Sequence, residues 1–448
     1  MKLRIKPRQA VVLGRTYQKF TSLFSGSGMV LMIATAVAVI WANSPIADTY
    51  HQLWHGTHFT IGFDNFYLTK SLIHWINDAL MAIFFFVVGL EIKRELVVGE
   101  LNSVKRAVLP FFGALGGMLV PVLIFKLFGL QGEAADGWGI SMATDIAFTI
   151  AVLALLGSKV PISLKIFLTA LAIIDDLGAV LVIAIFYTSS INWTFLLIAG
   201  TLVLILYIIN RFNIQNVWPY TITGIAIWTL FLFAGVHATI AGVLVAFFIP
   251  VYPKVHFEHF TPRIKRQVNG FLKSNDPDTF ILTEHQLDAI GNLKTIVRKV
   301  QSPLQAMEHD LSKIVTYFIL PLFALANAGV SFSSGNDQNT ALTALPIAIA
   351  MSLIIGKTIG ISFFSWLAVK LKMADKPEGT NWFSFIGLGL LGGIGFTMSL
   401  FIATLAFTSE DLIAQAKIGI FAGSIIAGIL GYLVLSYSLS SKKKSSKK

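Results

Sequence analysis

The sequence predicts an all-α membrane protein of twelve transmembrane helices, and three observations predict it. Apolar runs of about 20 residues, enough to cross roughly 30 Å of hydrocarbon, recur along the 448-residue chain. Only 13% of residues are charged, against about 25% in a typical globular domain, and the mean hydropathy is +0.74. Both ends are basic ("MKLRIKPR", "SKKKSSKK"), as expected when an even number of crossings leaves them on one side.

The runs fall at 27–43, 72–90, 107–128, 138–157, 162–187, 194–210, 217–232, 235–251, 313–330, 343–369, 383–407 and 412–437. In lipid each must be a helix, because an open sheet edge would leave backbone groups unsatisfied. The first run follows basic residues and mimics a secretory signal. Dropping it would make the count odd and turn the basic tail outward, so it is read as a span. The chain then forms one integral membrane domain over 1–448, with basic cytoplasmic ends at 1–26 and 438–448. Placing both termini in the cytoplasm puts 28 of the 34 Lys and Arg in inside segments and only Lys70 in an outside loop. That asymmetry fits the positive-inside rule and accounts for the net charge of +11 without nucleic acid. The absence of Cys excludes disulfides and thiolate metal sites.

Two segments outside the spans carry structure of their own. In the 44–71 extracytoplasmic loop, Phe59, Ile61 and Phe63, then Phe66 and Leu68, alternate around Asp64-Asn65, which predicts a short β-hairpin. Two strands alone are marginal in water, so the hairpin is expected to meet a partner subunit or its own bundle. In the 252–312 cytoplasmic segment, "LTEHQLDAIGNLKTIVRKV" has helical apolar spacing and predicts an amphipathic helix.

The chemistry lies in charges that a bilayer does not welcome. From Ile166 to Phe186 the only charged residues are Asp175 and Asp176, side by side at the middle of the run. Asp78, Asp145 and Lys357 also sit well inside spans, and His237 lies near the start of one. Such residues line a water-filled path or pair with one another. Four acids and one base cannot all pair, so some acids must bind a cation, take a proton or stay hydrated. Neighbouring helical residues point about 100° apart, so both members of the doublet can border one cavity. Burial and a like-charged neighbour favour the protonated form of a carboxylic acid, while its hard oxygens suit Na⁺ or Li⁺. Cation and proton then compete for the same oxygens. Lys357, paired with one of the two, would leave the other as principal cation ligand. Asp78 fits a helix–helix tie as well as a transport role, and Glu91 and Glu95 in "GLEIKREL" fit a solvated salt-bridged turn with Lys93 and Arg94.

Two spans are weak at their centres. "MATDIAF" places Thr144 and Asp145 midway through the fourth, and "GLLGGIGFTMS" places four glycines midway through the eleventh. Glycine is costly in a helix and cheap where the chain unwinds. If spans 3–5 and 10–12 are repeats of opposite orientation, the two weak spans occupy matching places and cross as unwound helices. Asp145 would then neutralise the positive N-terminal ends of the half-helices and Lys357 the negative C-terminal ends.

"ATDIAF", "LALLGSKVPISLKIFLTALAIIDDLGA", "GVHATIAG", "LPLFALANAGVS", "GKTIGIS" and "GGIGFTMSLFIA" resemble the NhaA family of bacterial sodium/proton antiporters, in nearly every span. That family is itself a standard example of inverted repeats, so the likeness adds nothing independent to the repeat reading. The resemblance implies residence in the cytoplasmic (inner) membrane and electrogenic exchange of Na⁺ or Li⁺ out for protons in, with no cofactor. It makes Asp176 the main cation ligand and Asp175 its partner, salt-bridged to Lys357, and places Asp145 and Thr144 at the crossing with Asp78 as a supporting acid. It implies activation at alkaline pH through Glu91, Glu95, Glu308 and His309, with His237 a further pH-linked position. It also implies a homodimer formed through the 59–68 hairpin. The chain departs from the family at Ser312, where members can carry a second His, and in the length of 252–307.

Other functions fit poorly. No Gly-x-Gly-Asp motif of an intramembrane aspartyl protease occurs, and "GKT" at 356–358 lacks the earlier Gly of a phosphate-binding loop, having Met351 there. A passive cation channel would be impeded by a fixed positive charge at Lys357 beside the acids.

Overall fold

The structure, a computed structural model, describes residues 28–63, 66–188, 191–253, 257–273, 281–330 and 343–445. The basic segment 1–26, the Asp64-Asn65 turn and the last three Lys-rich tail residues lie outside them. Helix α1 (Gly28–Ala42) leads through a short helical stretch into two antiparallel strands, β1 (His58–Phe63) and β2 (Phe66–Ser71). Their register runs from His58↔Ser71 to Phe63↔Phe66. β2 passes directly into α2 (Leu72–Val97), and α3 (Val104–Leu127) follows. Next comes a discontinuous pair, a 3₁₀ stretch over Gly132–Met142 and α4 (Ile146–Leu155), bent by 46°.

Helices α5 (Ile162–Phe186), α6 (Trp193–Arg211) and α7 (Trp218–Ala234) then succeed one another. α7 ends at Gly235, whose φ of 77° suits a residue without a Cβ, and α8 (Thr239–Ala246) is short. α9 (Phe257–Lys273) and α10 (Glu284–Val300) are amphipathic and precede α11 (Pro303–Asn327) and α12 (Ala344–Lys370). A second discontinuous pair, α13 (Trp382–Gly392) and α14 (Phe396–Ala406), also bends by 46°, and α15 (Glu410–Ser445) closes the chain. Among the described residues seven helices are long and apolar enough to cross a membrane, and each bent pair makes one more; α1 and α7 are apolar but shorter.

Hydropathy and hydrogen bonding disagree at helix ends. α2 runs on to Val97 and α11 starts at Pro303, so Glu91, Glu95 and Glu308 are all helical, beyond the apolar runs that mark these spans. Conversely, the run 235–251 is α-helical only over Thr239–Ala246. Apolar composition reports where a segment can meet lipid; the backbone ladder continues as long as it finds partners.

Three of the long helices contain one π-helical turn: Ile76–Leu80 in α2, Val315–Ile319 in α11 and Ser352–Gly356 in α12. Each re-aims the residues beside it. Asp78 lies in the first, Thr316 in the second, and Lys357 directly after the third. The position of Lys357 is further set by a seam of small residues between α3 and α12. A Cβ on Gly360 would lie 2.1 Å from the Gly116 carbonyl oxygen, and one on Gly356 would lie 2.6 Å from Pro121 Cα. Without a hydrophobic drive between helices in lipid, such close backbone approach is what holds them. Within the core Phe401 of α14 packs against Phe85 of α2 (5.5 Å between ring centres) and Phe323 of α11 (6.2 Å).

Gly360→Ala therefore forces α3 and α12 apart at Lys357. We expect a loss of about 1–3 kcal/mol of stability, the usual cost of overpacking, together with reduced transport. A thermal-unfolding midpoint equal to that of the parent would contradict the seam.

Candidate functional site

The two discontinuous pairs cross, and each satisfies the backbone that the other leaves open. Asp145 N–H donates to the Ile394 carbonyl (2.7 Å), Thr144 Oγ1 donates to the Gly392 carbonyl (2.8 Å), and Ser399 Oγ donates to the Ile140 carbonyl (2.7 Å). Asp145 is the N-cap of α4, accepting from Phe148 N–H at 3.0 Å through Oδ1. Its Oδ2 accepts from Thr397 N–H at 3.0 Å and from the Thr397 hydroxyl, both in the first turn of α14. One carboxylate thus faces two helix N-termini, the ends at which negative charge is favoured.

Asp175 and Asp176 occupy the middle of α5, and both are buried. Lys357 is buried too, and its Nζ lies 2.6 Å from Asp175 Oδ2. The same ammonium donates to Thr144 Oγ1 (3.0 Å) and to the Met142 carbonyl, the last of the 3₁₀ stretch. A lysine has three protons to donate, and here each has an acceptor. Asp175 Oδ1 and Asp176 Oδ1 are buried without any hydrogen-bond partner. Unpartnered buried carboxylate oxygens are costly, which makes these two the candidate acceptors for a proton or a cation.

A cavity of about 60 Å³ reaches this point. Asp176, Asp145 and Thr397 line its deep end, Thr316 and Ser312 its wall, and Glu91 with Glu308 its far end. That volume admits several waters, each needing roughly 10–15 Å³ of this kind of space. At the far end Arg94 gathers three acids: Glu95 at 2.8 Å, Glu308 at 3.0 Å and Glu91 at 3.8 Å.

A sequence profile of the Na⁺/H⁺ antiporter 1 family matches residues 18–435. The Na(+)/H(+) antiporter NhaA 2 of Syntrophotalea carbinolica is 45% identical over 96% of this chain and 98% of its own length. The NhaA proteins of Bacteroides thetaiotaomicron (44% identical, 96% of this chain and 99% of that protein) and Sulfurimonas denitrificans (46%, 94% and 95%) are similarly close. The chain belongs to the Na⁺/H⁺ antiporter 1 family. Proteins of this family are membrane transporters and not enzymes, and for them Na⁺ and H⁺ are transported substrates.

In this family member the structure brings Asp145, Thr144, Asp175, Asp176 and Lys357 together at the crossing, and Glu91, Glu95 and Glu308 together on Arg94. Lys93 takes no part in the acid cluster; its Nζ donates to the Phe247 and Ile249 carbonyls beyond the end of α8. His309 is exposed on α11 and makes no ion pair or hydrogen bond among the described residues. Asp78 borders a separate, smaller cavity with Lys70, His74 and Trp228, and does not line the one that reaches Asp176. His237 Nε2 sits 2.5 Å from the Tyr187 carbonyl at the end of α5, also away from that cavity.

Three partners escaped the sequence reading. Thr397 is the hydroxyl that holds Asp145, and its signal was a Thr in the first turn after a glycine break, where such residues cap helices. The carbonyls of Met142 and Gly392 act as acceptors only because the chain unwinds there, which no side-chain pattern announces.

Thr397→Val removes one of the two donors to Asp145 Oδ2 and leaves a buried carboxylate underpaired. We expect a loss of about 1–3 kcal/mol. Combined with Asp145→Asn it should be non-additive by more than about 0.5 kcal/mol, the mark of direct contact. Additive effects in a double-mutant cycle on unfolding would show that this contact does not carry the crossing.

Proposed function

We propose that this chain exports Na⁺ or Li⁺ in exchange for protons entering the cell, with Asp176 as the carboxylate on which the two ions compete. The supporting observation is the fate of charge at the crossing. Asp145 is offset by two helix N-termini and Asp175 by Lys357, while Asp176 lines the cavity with Oδ1 unpartnered. A buried carboxylate without a counter-charge must bind a proton or a metal cation, because desolvation of the bare ion is too costly. Both ions seek the same oxygens, so arrival of one expels the other.

Asp175 acts as second ligand. When it turns to the cation, Lys357 loses its counter-charge and favours giving up a proton. The doublet together with Lys357 thus releases more than one proton per Na⁺, which makes the exchange electrogenic. In this reading twelve spans cross the inner membrane with both termini inside, and the Arg94 end of the cavity opens to the cytoplasm. Glu91, Glu95, Glu308 and His309 at that mouth, with His237 across the bundle, tune activity toward alkaline pH. Asp78 assists from the extracytoplasmic half. The β1–β2 hairpin, too small to be stable alone, pairs with that of a second copy to make a homodimer.

In proteoliposomes carrying a pH-sensitive dye, a Na⁺ or Li⁺ pulse should drive proton movement that stops in Asp176→Asn. Normal Na⁺-driven proton movement in that variant would eliminate Asp176 as the shared ligand, and Na⁺ flux without proton movement in the parent would indicate a channel.

A further inference from the structure

α9 and α10 pack on each other and hardly touch other helices, and with ten residues between them the pairing is taken as antiparallel, as for helices joined by a short connection. Their shared face holds Phe260, Ile264 and Phe271 of α9 with Ala289, Leu293 and Ile296 of α10, all buried or half-buried. At about 100° per residue, Lys265, Val268 and Leu272 lie on one flank of that face in α9, and Leu287, Lys294 and Val297 on the same-handed flank in α10. In an antiparallel pair, same-handed flanks share one side. That side therefore carries four apolar residues in solvent (Leu272 is 61%, Leu287 55% and Val297 50% exposed, Val268 less so) with two exposed lysines among them. The opposite side is polar, with Arg263, His285, Asp288 and Asn292.

We propose that the apolar, lysine-bearing side of the α9–α10 hairpin docks on the anionic lipid headgroups of the leaflet from which α11 emerges. Three observations select this occupant. Only Gln301 and Ser302 separate α10 from α11, and Leu304 N–H donates to the Pro250 carbonyl at 3.2 Å, so both roots of the hairpin lie at the end of membrane helices. The two helices hold seven Lys and Arg against three Asp and Glu. Apolar residues flanked by lysines on one side and a polar surface on the other is the pattern of a helix lying in a bilayer interface. Docking sets the angle at which α11, with Glu308 and Ser312 on the cavity, enters the membrane.

The chain has no Cys, so a single introduced thiol is labelled cleanly. Full-length Leu287→Cys and Asn292→Cys, each carrying an environment-sensitive fluorophore and each checked for monodisperse elution, are reconstituted in phosphatidylcholine vesicles with and without phosphatidylglycerol. The label at 287 should shift to shorter wavelength and escape an aqueous quencher only with phosphatidylglycerol, and lose this in high salt or with Lys265→Glu and Lys294→Glu. The label at 292 should stay accessible throughout. Equal quenching of 287 in both lipids overturns the proposal. So does protection in both lipids that grows with protein density, which would assign the face to a second copy.

Discussion

The ammonium of Lys357 is the constraint on which the site depends. Buried and saturated by Asp175, Thr144 and the Met142 carbonyl, it is the cation that faces the doublet, and it has nothing left for Asp176. A buried ion pair survives only when its geometry is complete, and removing one partner usually costs several kcal/mol. The pair therefore cannot loosen unless another cation replaces Lys357 on Asp175, or a proton replaces the charge. On the proposed mechanism, the neighbouring acid is then the place where occupancy changes without dismantling the fold.

Everything around Lys357 holds that ammonium in place. The Gly116–Gly360 seam brings α12 against α3, and the π-helical turn before Lys357 aims its side chain toward the crossing. The crossing presents acceptors that an intact helix would have consumed, since an unwound residue leaves its carbonyl free. Asp145 keeps the two half-helix N-termini together, so the break in one span is stable only because the other is broken beside it. Such mutual dependence explains why a costly irregularity sits at membrane depth at all.

Much of this was legible in residues. Long apolar runs, the Asp175-Asp176 doublet and the weak centres at Thr144-Asp145 and Gly392-Gly395 each break or obey a rule that holds in lipid, and rule-breaking is readable. Helix ends were not, because backbone ladders outrun apolar composition: α2 reaches Val97 and α11 starts at Pro303. Nor was the pairing of Arg94 with Glu308: as a sequence neighbour of Glu91 and Glu95, Arg94 reads as the cation of a local salt-bridged turn, and in space it also collects Glu308 from more than two hundred residues away. Contacts between distant segments leave no local trace when neither partner is unusual where it stands.

The central claim is that one pair of acids holds either a proton or a small alkali cation. It is tested most directly by adding Na⁺ to purified protein in weakly buffered detergent solution and measuring the protons released. Release that saturates with Na⁺, with a half-saturating Na⁺ concentration that rises as the pH is lowered, is the result this account predicts. Sodium binding with no proton release at any pH would contradict it.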